Sequence, residues 1–302
     1  MTISAIIPTY KRPALLEETV DSCLAQTRLP DEILIGDDSP DDLTEGLVKE
    51  RIIPRSPVPI RYFHHKPSLK EVRNVDFLYA QAAGKLVLHL HDDDPVYPNC
   101  LEDLAAPFEK YPEIAASFGM QRMIGQDGGL LPENRQKVNE AFFRVPERAG
   151  LVDPVMASAV AMFPNNGFLV EAELARRVGY ADDGRAGLAT DFYFGFRLGR
   201  QNRPFYFVHK TTAKVRLTGN SQSRTGLADN SFRTLKILLE DLQPEEYTPE
   251  IERSISGRMP YAISVATRNG NRGLAWRWYF SKYHRRSILT PGGIKRLVRL
   301  FW

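Results

Sequence analysis

Short apolar runs alternate with amphipathic stretches through the first half of the chain, and this pattern predicts strands separated by helices. Ser4 to Pro8, Glu32 to Gly36, Ile60 to Phe63 and Leu86 to Leu90 each read as a short buried strand. Between them, Ala14 to Ala25 has helical spacing with Leu15, Thr19, Cys23 and Leu24 toward the core. Leu43 to Glu50 and Leu69 to Ala83 read as further helices, the second stopped by Gly84. Such alternation implies a mostly parallel sheet flanked by helices, the α/β class. Ligands of such sheets bind beyond the carboxyl ends of the strands. Strands one, two and four end in Thr9-Tyr10, Asp37-Asp38 and Asp92-Asp93-Asp94, so these residues are expected to face one crevice.

Further along, Ile114 to Ile124 is strand-like, and Gly125 to Gly150 reads as a polar loop or hairpin over the site. Asn165-Asn166-Gly167 precedes the strand Phe168 to Val170, either as a simple turn or as an acceptor contact. Asp182-Asp183-Gly184 reads as a turn. The strand Phe205 to Val208 ends at His209, a lone histidine with a structural role or a further metal ligand. Leu217 to Asp229, rich in Thr, Gly, Ser and Asn, reads as a mobile loop able to close over a donor. From Asn230 the pattern is helical, with Phe232, Leu235, Leu239 and Leu242 on one face, followed by helices over Ile251–Val265 and Leu274–Tyr283.

Composition is that of an ordinary globular protein, 43% hydrophobic and 25% charged over 302 residues. No apolar run reaches membrane-spanning length, and Met1-Thr2 leads into a strand without a signal-peptide pattern. Two cysteines, Cys23 and Cys100, lack metal-type spacing and fit reduced core residues of a cytoplasmic protein. Charge changes the picture more. The segment 253–302 carries eleven Lys/Arg and no Asp/Glu. The other 29 basic and 37 acidic residues leave 1–252 at −8. In the last turns Ile294, Leu297, Val298 and Phe301 share one helical face, and Lys295, Arg296 and Arg299 the other. That pattern fits a helix lying on an anionic membrane, at the inner face of the cell membrane, or one packed on the acidic body. No recognition motif points to nucleic acid.

The candidate chemistry sits at the strand ends. Three adjacent carboxylates repel, and a divalent cation such as Mn²⁺ or Mg²⁺ would relieve them, since such ions take carboxylate and phosphate oxygens. Taken alone, the triple Asp also fits a solvated acidic turn before Pro95. A dinucleotide-binding domain is disfavoured, because the turn after strand one is Pro-Thr-Tyr-Lys-Arg-Pro, with no glycine for a pyrophosphate.

Ala5-Ile6-Ile7-Pro8-Thr9-Tyr10, Asp37-Asp38-Ser39, Arg73-Asn74, Ala83-Gly84-Lys85, Asp92-Asp93-Asp94 and the later Ala189-Thr190-Asp191-Phe192-Tyr193 occur in the order seen in family-2 glycosyltransferases of the GT-A fold, and the chain resembles that family over roughly its first 220 residues. The resemblance implies a GT-A domain over 1–229 and a basic helical extension over 230–302. It implies that Pro8, Thr9, Tyr10 and Arg12 line a nucleotide pocket, that Asp38 bonds the base with Asp37 in support, and that Arg73 reaches the base or diphosphate. Asp92 would serve the ribose, and Asp93 and Asp94 the metal. Asp191 would be the catalytic base, though by itself it also fits a helix N-terminal aspartate. Asn166 and Gly167 are the acceptor-side candidates. Many members carry Asp where His91 stands, which leaves the ligation register open by one residue, with Asp93 ranked first.

The activity so implied is metal-dependent, inverting transfer of a sugar from a nucleotide-diphosphate donor to a hydroxyl of a saccharide, lipid-linked glycan or polysaccharide. The cation would act as Lewis acid on the leaving diphosphate, and a carboxylate would deprotonate the acceptor. The alternatives are a degenerate GT-A domain that binds glycans or acts as a scaffold, and a sugar nucleotidyltransferase, which would need a Gly-rich basic loop after strand one.

Overall fold

The computed structural model describes residues 1–132, 137–182, 184–217 and 227–301. The chain divides into two compact units, one of Met1–Ala181 with Phe194–Thr218 and the other of Asp182–Tyr193 with Gly219–Trp302.

The first unit is built on an eight-stranded sheet, β1 (Ile3–Thr9), β2 (Glu32–Asp37), β3 (Ile60–His64), β4 (Leu86–His89), β5 (Ala116–Ile124), β6 (Gly150–Val152), β7 (Phe168–Glu171) and β8 (Phe205–Arg216), in the order β3-β2-β1-β4-β7-β5-β8-β6. The first four strands of that order run parallel. β7 is antiparallel to both β4 and β5. The unit's helices are α1 (Pro13–Leu24), α2 (Leu43–Leu47), α3 (Glu71–Gln81), α4 (Cys100–Lys110), α5 (Val138–Ala141), α6 (Pro154–Ala159) and α7 (Ala172–Val178). Every residue of β2 and β4 is buried, which is why these strands are uninterrupted runs rather than alternating ones.

Register puts the functional ends together. Thr9 pairs with Asp37 across β1 and β2, and Ile6 pairs with His89 across β1 and β4. Three residues further on, Asp92 therefore comes level with Thr9. The antiparallel β7 pairs Phe168 with His89, so its entry turn, Asn166-Gly167, arrives beside the aspartates.

Some boundaries differ from the sequence expectation. α1 buries the expected Thr19 and Cys23 together with Leu16 and Val20, and Leu24 is partly buried against the same core; Leu16 takes the place expected for Leu15. α3 begins at Glu71 instead of Leu69, because the Leu69 N–H is taken by the Asp38 carboxylate and Lys70 adopts φ 68°. β8 does not stop before His209. It continues to Arg216, paired with β5 through a register shift near Gly119. A Cβ at Gly119 would lie 2.4 Å from Thr212 Oγ1, so a larger residue would push β5 and β8 apart there.

The second unit is helical apart from its connections. It holds the start of α8 (Thr190–Gly199), then α9 (Leu227–Asp241), α10 (Pro249–Arg268), α11 (Arg272–Tyr279) and α12 (Pro291–Phe301). Leu235, Leu238, Ile251, Ile255, Met259, Ile263 and Trp278 form its interior. Arg185 pairs with Asp241 and Glu240 and stacks over Tyr193, tying the 182–193 segment to α9. Asp182 accepts from the Gly184 and Ala186 N–H groups, as a turn aspartate does. α12 is amphipathic, but its packed face is Gly293, Arg296, Leu297 and Leu300. Gly293 has no room for a side chain, since a Cβ would lie 1.9 Å from the Ser287 carbonyl. Ile294, Val298 and Phe301 are left 52%, 51% and 69% exposed. The expected segregation thus holds for these three, whereas Leu297 and Arg296 turn inward. Arg296 donates to His284 Nε2, whose Nδ1 lies 3.0 Å from the Tyr279 carbonyl oxygen. The greater part of the expected mobile loop, 218–226, lies outside the described residues. No helix among the described residues is long and apolar enough to cross a membrane.

Candidate functional site

At the β2 end, two adjacent aspartates are treated differently by their surroundings. Asp37 is fully buried and saturated: it accepts from the Ser39 N–H at 2.8 Å and from the Tyr62 hydroxyl at 2.6 Å. Burial and the neighbouring Asp37 carboxylate hold the Tyr62 phenol strongly protonated. Asp38 is 4% exposed; its Oδ1 accepts from the Leu69 N–H at 2.9 Å, and its Oδ2 is buried with no hydrogen-bond partner among the described residues. A buried carboxylate oxygen left so is costly unless a donor reaches it. The loop itself is held from below by His64, whose Nε2 lies 2.8 Å from the Ser39 carbonyl and Nδ1 3.2 Å from Glu45. Burial pushes the His64 pKa down, but these two acceptors and the Asp37 charge outweigh it and raise the pKa above 6.5.

At the β4 end, Asp92 faces β1. It accepts from the Thr9 hydroxyl at 2.8 Å, the Tyr10 N–H at 3.4 Å and Arg12 Nη1 at 3.2 Å. Its carbonyl accepts from the Thr19 hydroxyl of α1. Burial raises the Asp92 pKa against the opposing pull of Arg12. Arg12 also reaches Asp93 at 3.0 Å. Burial, then repulsion from Asp94 and Asp92, push the Asp93 carboxyl up to about 6. Asp94 is buried and held on both oxygens, by the Arg216 N–H at 2.7 Å and by the Asn166 amide at 2.9 Å.

Arg216 and Asn166 are the frame of this loop. The Arg216 side chain, 1% exposed, donates to the Asp93 carbonyl, to the Gly125 and Gln126 carbonyls and to Glu18. Asn166 is wholly buried; besides bonding Asp94, its Oδ1 accepts from the His91 N–H at 3.4 Å, and its carbonyl accepts from Gln121. The sequence left Asn166 as a turn residue or an acceptor contact; its side-chain amide bonds the aspartate loop. Gly167 holds φ 73°, and a Cβ there would lie 2.5 Å from that of Ala213, so no side chain fits. Arg216 and the bond from Thr19 escaped sequence reading. The only signal for Arg216 would have been a longer β8.

The remaining expected residues fall as follows. Tyr10 is exposed at the mouth, with Lys11 Nζ 5.2 Å from its ring centroid. Pro8 pairs in register with Gly36. Arg73 is exposed on α3. Asp191 lies in the first turn of α8, in the second unit, where helix N-terminal amides favour a carboxylate. His209 is exposed in mid-strand. His89 is buried between Phe168 and Tyr180, 3.0 Å from the Tyr79 hydroxyl; burial drives its pKa well below 6.5 and keeps it neutral.

The donor set suits a hard divalent cation. His91, Asp93 and Asp94 can each present one ligand atom, all within 4.8 Å of one another.

This fold is that of the GT-A glycosyltransferases. A mannosyltransferase from Pyrobaculum calidifontis, solved in complex with GDP-Man and Mn²⁺, superposes with a TM-score of 0.63 at 16% identity, over 99% of this chain and 87% of that one. The chain belongs to glycosyl transferase family 2, whose profile matches residues 4–158. It is 24% identical over 236 residues to the GalNAc(5)-diNAcBac-PP-undecaprenol beta-1,3-glucosyltransferase of Campylobacter jejuni, covering 76% of this chain and 70% of that protein. It is 33% identical over 154 residues to the O-antigen biosynthesis protein RfbC of Myxococcus xanthus, covering 48% of this chain but only 12% of that protein.

Proposed function

We propose that the protein transfers a sugar, with inversion, from a nucleotide-diphosphate donor to a hydroxyl of a saccharide, lipid-linked glycan or polysaccharide acceptor. The observation that carries this reading is the unsatisfied Oδ2 of Asp38, buried at the end of β2, where the Asp38 N–H donates to the Thr9 carbonyl of β1. A nucleobase N–H is the kind of donor that would complete it. Thr9, Tyr10 and Arg12 would line the same pocket, with Asp37 supporting the loop, Arg73 reaching in from α3 and Asp92 serving the ribose. Asp93 and Asp94 would hold the divalent cation, Mn²⁺ or Mg²⁺, which when bound supplies Lewis-acid stabilisation to the leaving diphosphate. Asp191 would take the proton of the acceptor hydroxyl. One carboxylate base suffices for inversion, since no covalent intermediate has to form.

Peripheral contact with an anionic membrane belongs to the same reading. Its support is the exposed Ile294, Val298 and Phe301 beside Lys295 and Arg299, within a segment that has no acidic side chain. The lipid-linked substrate in the name of the Campylobacter relative is of the kind that would make such contact useful. The test of the donor site is a thermal-shift screen with UDP, GDP and dTDP, each with Mn²⁺. Ligands of the native state raise its melting temperature, so at least one nucleotide should do so, and Asp38→Asn should blunt the shift. No shift with any of them contradicts the reading.

A further inference from the structure

His91 stands directly before the three aspartates, and its ring is aimed along them. Nδ1 lies 3.3 Å from Asp94 Oδ2, and the side chain is one-quarter exposed. The backbone and ring are fixed from behind. The His91 N–H donates to Asn166 Oδ1, and the ring sits edge-on to His89 at 5.9 Å. His89 is itself locked between Phe168 and Tyr180. Asp94 is equally fixed, by Arg216 and Asn166. The loop thus presents an imidazole nitrogen and two carboxylates within 4.8 Å of one another, His91 and Asp94 held from behind and Asp93 in contact with Arg12, which a cation would have to displace or share.

We propose that His91 is a ligand of the divalent cation at this loop and that its nitrogen makes the site prefer Mn²⁺ to Mg²⁺. The proposal rests on the reading that the aspartates hold a cation. Mg²⁺ takes oxygen ligands and gives up its waters reluctantly. Mn²⁺ has the same charge and also favours oxygen ligands, but as a transition ion it accepts a nitrogen ligand among them more readily than Mg²⁺ does. Neutral imidazole binds through one nitrogen lone pair, so coordination at Nδ1 leaves the ring proton on Nε2. The present approach of Nδ1 to Asp94 is then replaced by joint ligation. If His91 served only as a hydrogen-bond donor to Asp94, glutamine, whose amide can also donate, would replace it without loss.

The test is direct observation of Mn²⁺ on the full chain, alone and with UDP or GDP. Pulsed electron paramagnetic resonance should show nitrogen-14 coupling to bound Mn²⁺ in the wild type, a measurement that needs no variant. Competition should show Mg²⁺ binding about tenfold or more weaker than Mn²⁺, the scale on which ligand environment alters metal affinity. His91→Gln and His91→Asp should both lose the nitrogen coupling, and His91→Asp should bring the two metals to similar affinity. Melting curves check that each variant folds. Mn²⁺ bound without nitrogen coupling, or a preference unchanged in His91→Gln, overturns the His91 assignment and leaves the cation reading standing. A wild-type chain that binds no Mn²⁺ under any of these conditions overturns both.

Discussion

The ends of β1, β2 and β4 and the outer face of α12 both gather charge, but they hold it in opposite ways. At the strand ends the carboxylates are desolvated, and most have an assigned donor: Asp37 has Ser39 and Tyr62, Asp92 has Thr9 and Arg12, and Asp94 has Arg216 and Asn166. What is left over, Asp38 Oδ2, stands out against a saturated background. On α12, Lys295, Arg299, Ile294, Val298 and Phe301 all reach solvent; Phe301 rests edge-on against Trp276 at 5.0 Å, but no hydrogen bond or ion pair among the described residues fixes the two basic side chains. The first arrangement suits a small polar ligand that must sit in one pose. The second suits a surface, where summed attraction matters and pose does not.

If that contrast is right, a change at a fixed carboxylate alters chemistry or affinity steeply, and a change on α12 alters only where the protein is found. The steepest expected effect is at Asp191. Asp191→Asn should retain donor binding and lower turnover with the true acceptor by roughly 10²-fold or more, the scale of general-base catalysis. Near-native turnover in this variant would place the base elsewhere. On α12, replacing both Lys295 and Arg299 by Glu should weaken co-sedimentation with anionic liposomes more than about tenfold, at about 1 kcal/mol per basic residue near the surface. Hydrolysis of a soluble donor should not change. High salt should release the wild type too, because exposed charges are screened. Liposome binding that ignores both salt and these substitutions would break the contrast.

The smallest effect concerns the support beneath Asp38. The His64 pKa is raised in the folded state, so its stabilisation is complete below about pH 6.5 and is lost as pH rises through the folded value. The difference in melting temperature between wild type and His64→Gln should therefore be larger near pH 6 than near pH 9. A difference that grows with pH would mean that the imidazole is neutral in its bonds to Ser39 and Glu45.

The parts of this picture legible in the sequence were those written locally. β1, β2 and β4 are short apolar runs because helices cover both faces, and the acidic residues follow where each run stops. The C-terminal basic bias needs only a count. Features set by distant partners were not legible. β8 continues past His209 because it pairs with β5, and no local pattern in His209-Lys210-Thr211 announces that pairing. Arg216 meets Asp93, Asp94, Gly125 and Glu18 only once that strand is complete. Asn166 looked like a turn or an acceptor contact, and only the antiparallel entry of β7 turns it toward Asp94. On α12, the periodicity showed two faces but not which residues Gly293 would draw inward.

The central claim is that the aspartates after β4 hold the cation through which a nucleotide diphosphate binds. Calorimetric titration of UDP and GDP, with and without Mn²⁺, into wild type and Asp93→Ala tests it most directly. One nucleotide should bind the wild type tightly only when Mn²⁺ is present, and Asp93→Ala, still folded, should lose that dependence and most of the affinity. Equal affinity in the two proteins in the presence of Mn²⁺ would contradict the account.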